Sequence, residues 1–105
     1  MTARTMGEQT PVLTCLAELA ARHPELPGAY ITISRFIPNE LSVQLDNPDK
    51  VKAWREALGI SAEKVFKDRI GNRPSLEFRA CAYGVMFHVY ATCPQAAMDE
   101  NPQVA

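Results

Sequence analysis

Cys81, His88, Glu77 and Arg79 are the residues whose types and spacing could do chemistry together. They lie within residues 76–92, LEFRACAYGVMFHVYAT, whose alternation predicts an antiparallel β-hairpin folded at Tyr83-Gly84 with Ala82 opposite Val85. That register sets Arg79 opposite His88 and Glu77 opposite Tyr90, with Cys81 diagonal to His88. A thiol beside an imidazole, with a carboxylate to orient the ring, is the minimal set for an activated nucleophile. Strand pairing alone produces the same neighbours, however, and no Gly-rich turn at a helix start accompanies them as an oxyanion device. The favoured reading is cross-strand packing, with no catalytic residue assigned and a small thiol-dependent enzyme kept as a second alternative. His23 and His88 are the two histidines, and their spacing matches no zinc pattern, so neither a metal nor a cofactor is expected.

The hairpin has two chemically different faces. Leu76, Phe78, Ala80 and Ala82 share one with Val85, Phe87, Val89 and Ala91, which is a core face. The other carries Glu77, Arg79 and Cys81 against Met86, His88 and Tyr90.

Further elements must position that hairpin. Thr10-Pro11 reads as a capped helix start, followed by Val12, Leu13, Leu16, Leu19 and Ala20 at helical spacing, and His23-Pro24 ends the helix. Residues 29–36 and 41–46 read as two strands joined through a three-residue Pro38-Asn39-Glu40 loop, with Ile31 and Ile33 on the same face as Leu41, Val43 and Leu45. Asn47-Pro48 repeats the helix signal for residues 48–58, where Val51, Trp54 and Leu58 form the apolar stripe. Trp54 is expected in the core, and Gly59-Ile60 fits a left-handed cap with a hydrophobic contact behind it. Residues 61–75 do not settle on a period; the reading leans to a strand or an irregular arm.

The expected fold class is α+β, in the order α-β-β-α-(β?)-β-β. It is an open antiparallel sheet of four or five strands with both helices on one face. Residues 1–9 are expected to be a flexible segment, 10–93 a single domain and 94–105 a flexible tail. With the helices on the Ile31 and Phe87 side, the open face displays Tyr30, Thr32, Ser34, Ser42, Gln44, Glu77, Arg79, Cys81, Met86, His88 and Tyr90.

Bulk composition narrows the function classes. A chain of 105 residues with 47% hydrophobic and 22% charged content has an ordinary globular composition and room for one core. The net charge of −1 lacks the basic surplus usual for a chain that grips nucleic acid or anionic lipid. Lys64, Lys67, Arg69 and Arg73 nevertheless make a basic arm beside the hairpin. No run approaches the roughly 18 apolar residues of a membrane span, and the first residues lack the apolar region of a signal peptide. Cys15, Cys81 and Cys93, odd in number and without a CxxC pair, read as reduced thiols of a cytoplasmic protein.

The segment Ala53-Trp54-Arg55-Glu56-Ala57-Leu58-Gly59, following a strand and Asn-Pro, resembles a stretch of small uncharacterised actinobacterial proteins. That resemblance implies an accessory protein of mobile-element or phage type and brings no activity with it. The residue types of the open face point to protein contact, because Tyr, Met and Arg enrich interfaces and Lys and Asp are depleted there. The function expected is therefore a non-catalytic interaction (adaptor or accessory) domain. Its partner would be itself as a homodimer, through the open face or a sheet edge, or another protein. The first alternative is nucleic-acid binding by the sheet face and the Lys64–Arg73 arm, with aromatic rings for stacking.

Overall fold

A computed structural model of the chain describes residues 5–34, 37 and 39–93. Two helices, α1 (Thr10–Arg22) and α2 (Asp49–Ala57), accompany five strands: β1 (Tyr30–Ile33), β2 (Glu40–Leu45), β3 (Phe66–Ile70), β4 (Arg73–Ala82) and β5 (Val85–Thr92). Short 3₁₀ turns at Gly7–Gln9 and Ala62–Lys64 precede α1 and β3. The strands form one sheet in the order β1-β2-β5-β4-β3.

The hairpin of β4 and β5 folds in the register its alternation predicts, with Ala82 opposite Val85, Arg79 opposite His88 and Glu77 opposite Tyr90. Its apolar face meets Leu41, Val43 and Leu45 of β2 beneath Val12, Cys15 and Leu19 of α1 and Val51 and Trp54 of α2. The spacing of those helical residues gives each helix one buried stripe, so both lie on the same side of the sheet. Burying a side chain the size of Phe87 or Val89 stabilises the fold by about 1.5–3 kcal/mol.

The antiparallel expectation is corrected at one seam, where β2 and β5 run parallel and make the sheet mixed. Chain direction explains it. α2 carries the chain back across the helical face, β3 sets out along β2, β4 opposes it, and β5 runs with β2 again. Val85, Phe87, Val89 and Ala91 of β5 all lie at zero exposure, as befits the central strand.

Local signals fare unevenly. Asn47 Oδ1 accepts a hydrogen bond from the Asp49 N–H (2.7 Å), so the Asn-Pro start of α2 holds. Gly59 closes that helix at φ +71°, and its N–H bonds Glu56 O while Ile60 N–H bonds Arg55 O (3.1 and 3.0 Å). Thr10, expected as a cap, is instead the first residue of α1, because the preceding 3₁₀ turn runs directly into the helix. The first strand ends at Ile33, and Glu40, expected in the loop, already belongs to β2; residues 35, 36 and 38 of the expected strand end and loop lie outside the described residues. The Ser34 hydroxyl accepts from the Ile37 N–H, and Ser34 N–H bonds Glu40 O. Ile31 and Ile33 still share a face with Val43 and Leu41, their partners in β2. Within 61–75 the arm resolves into the 3₁₀ turn and β3, paired to β4 through the Gly71-Asn72 turn. Of the segments expected to be flexible, 1–4 and 94–105 lie outside the described residues.

Candidate functional site

Strand pairing brings the predicted face together. One row crosses all five strands, Tyr30–Gln44–Tyr90–Glu77–Phe66, and beside it runs Thr32–Ser42–His88–Arg79. Glu40, Met86 and Cys81 form the next row. Neither helix covers these side chains: Tyr30 is 77% exposed, and Met86 and Phe66 also reach solvent. Ser34 lies just past the end of β1, at the margin of the face.

A buried polar cluster lies beneath this surface. Glu77 is only 5% exposed, and both its carboxylate oxygens are engaged: Ser75 Oγ donates to Oε2 at 2.6 Å, and His88 Nε2 donates to Oε1 at 2.7 Å. Ser75 is itself buried. The His88 imidazole in turn lies against Tyr90, ring centroids 5.0 Å apart and tilted by 30°, and Tyr90 Oη reaches Gln44 Oε1 at 3.4 Å. A desolvated carboxylate is costly unless its lone pairs are satisfied, and here two neighbours satisfy them. The hydrogen bond to Glu77 orients the His88 ring, and Tyr90 packs against that ring.

Sequence reasoning named Glu77 and His88 but missed Ser75 and Phe66. The Ser-x-Glu spacing was a usable signal, since residues two apart on a strand share a face. Phe66 lay in a stretch whose period could not be read. The basic arm is not one surface. Phe66 and Asp68 pair with Glu77 and Ser75 on the open face, whereas Lys67 and Arg69 pair with Leu76 and Pro74 and project on the helical side. Arg73 stays on the open side and donates to Cys93 O (3.2 Å), and Lys64 belongs to the preceding 3₁₀ turn.

Glu77 and His88 have the geometry of an orienting acid and a base, but no hydrogen bond joins Cys81 to that pair among the described residues. The thiols of Cys15, Cys81 and Cys93 are free, and burial, with the charge of Glu18 adding to it, pushes the Cys15 thiol up. Among the described residues no group of three or more His, Cys, Asp or Glu could hold a metal ion, and no helix is long and apolar enough to cross a membrane. The apolar concavity is on the other side of the sheet, a cleft of about 440 Å³ between α1, residues 23–29 and β1, floored by Trp54 and Ile31. In comparisons with known proteins, no family model, curated protein or solved structure matches this chain.

Proposed function

We propose that the chain is a small, non-catalytic interaction domain of adaptor or accessory type that works in the cytoplasm. It engages a protein partner, a second copy or another chain, and the uncovered sheet face is its platform. The observation that carries this reading is the Ser75–Glu77–His88 cluster, which turns its polar groups inward and holds His88 and Tyr90 in place. The outward side chains include Tyr30, Phe66, Met86 and Arg79, of types that enrich interfaces, alongside Thr32, Gln44, Asp68 and Cys81. Pre-set aromatic groups lose little entropy on binding. Thiol catalysis is less well supported, because Cys81 is not held by the Glu77–His88 pair.

Arg79→Glu and Tyr90→Ala are expected to weaken a face-to-face dimer or partner complex without unfolding the domain. A chain that is monomeric in light scattering, and whose two variants retain every partner of the parent, would refute the platform. Nucleic-acid binding is the second reading, favoured by the tilted His88–Tyr90 ring pair beside Arg79. Asp68 on the same face and Lys67 and Arg69 on the opposite one count against it. It requires single-stranded oligonucleotides to be retarded at low salt and released as salt rises.

A further inference from the structure

The two edges of the sheet are guarded differently. β3, Phe66–Ile70, presents Lys67, Asp68 and Arg69 along an edge exposed over its whole length. Charges of this kind are a common device against edge-to-edge pairing. β1, Tyr30–Ile33, reads Tyr-Ile-Thr-Ile, uncharged and rich in the β-branched residues that favour strands, yet it is also an edge.

Its hydrogen-bonding groups that have no partner among the described residues can be assigned. Ser34 N–H bonds Glu40 O (3.1 Å), and bonded pairs alternate in an antiparallel ladder. Thr32 and Tyr30 therefore face β2 with their backbone groups, and the N–H and C=O of Ile31 and Ile33 point outward. The Ile31 side chain is 38% exposed on the helical side, where it borders the apolar cleft with Leu16, Ala17, Ala20 and Trp54.

We propose that β1 pairs antiparallel with β1 of a second copy, about a two-fold axis at Thr32, to give one continuous ten-stranded sheet. A second copy fits because this register is self-complementary. Ile31 faces Ile33 of the partner subunit twice on the helical side, Thr32 faces its own copy on the open side, and none of the four β1 residues carries a charge. Four residues of edge bury less than the roughly 1,200 Å² of a stable interface. The apolar clefts beside the axis supply further area, and Ala17 and Ala20 present little bulk to an approaching helix. The inference rests on the interaction-domain reading but moves the seam to the edge, leaving the platform free and doubling its width.

Light scattering should find the parent chain dimeric, and Ile31→Lys should raise the dissociation constant at least about tenfold with an unchanged circular dichroism spectrum. In a Cys81→Ser, Cys93→Ser background, Thr32→Cys should form an intermolecular disulfide with oxidised glutathione. Facing residues of a non-hydrogen-bonded pair sit about 4.5 Å apart at Cα, within disulfide reach. Tyr30→Cys, displaced from the axis, should not cross-link. A monomeric parent overturns the proposal, as does a dimer that resists Ile31→Lys or fails to cross-link through Thr32→Cys. If Arg79→Glu or Tyr90→Ala dissociates the dimer instead, the edge seam is refuted and the platform reading stands.

Discussion

Glu77 sits in the middle of a sheet surface that no helix covers, yet it is shielded by neighbours in the plane of the sheet. Ser75 and His88 hold its two oxygens, and Phe66 and Tyr90 stand on the flanking strands. Removing a buried carboxylate leaves two polar partners unsatisfied, one of them, His88, partly open to water. Glu77→Ala is therefore expected to cost about 2–3 kcal/mol in urea unfolding, and Glu77→Gln, which keeps the shape and an acceptor, about 1 kcal/mol. The strand alternation made the residue's face legible. Its burial was not, because that depends on β3 arriving beside it. Asp46 makes a different electrostatic case at the surface. A hydrogen bond from Lys50 (2.8 Å), aided by that ammonium's charge, holds its carboxyl below the ordinary carboxylate range. A depressed folded-state value contributes stability above the unfolded-state value, and that contribution is lost as pH falls through the folded one. Lys50→Met should return Asp46 toward the ordinary range in an NMR titration and remove that acid-side dependence.

The elements show which local signals are strong enough to act alone. Tyr83 and Gly84 both adopt positive φ, +57° and +74°, so the β4–β5 connection is the tight two-residue turn whose twist suits a hairpin. Gly accepts this conformation freely; Tyr does not. In partial compensation the Arg22 guanidinium lies 5.9 Å from the Tyr83 ring centroid, near the limit of a cation–π contact. Relief of the backbone outweighs loss of so distant a contact, and Tyr83→Asn should raise unfolding stability by about 0.5 kcal/mol. The Asn47 start and the Gly59 stop of α2 were equally legible, since each is a short-range bond between residues close in sequence. The bonds of Ser34 to Ile37 and to Glu40 were not, because they join residues on either side of a turn whose sequence carries no short-range signal for them. Trp54 was placed in the core by its spacing, but its Nε1 hydrogen bond to Pro27 O (2.9 Å), which ties α2 to the loop before β1, leaves no pattern in the sequence.

For the molecule as a whole, the sequence specified which side chains share a face better than which strands are neighbours. Alternation along a strand is local, and so Arg79 and His88 could be paired on paper. The neighbour of β2 depends instead on whether a distant segment can insert, and β5 does so because its apolar side needs strands on both flanks. That parallel seam has a consequence for how the fold is reached and left. The β4–β5 hairpin closes over a two-residue turn, whereas β2 must find β5 across an intervening helix and two strands, so its ordering waits on a large loop closure. Asn39, whose carbonyl accepts from Met86 N–H at 2.8 Å, fastens the start of that seam. Native-state hydrogen exchange should accordingly show Phe87 and Val89 opening only with global unfolding. In the dissociated single chain, the amides of Thr32 and Ser34 should exchange through a smaller, lower-energy opening in which β1 peels away first. The edge strand, held to the sheet on one side alone, is then the one from which the single chain begins to come apart.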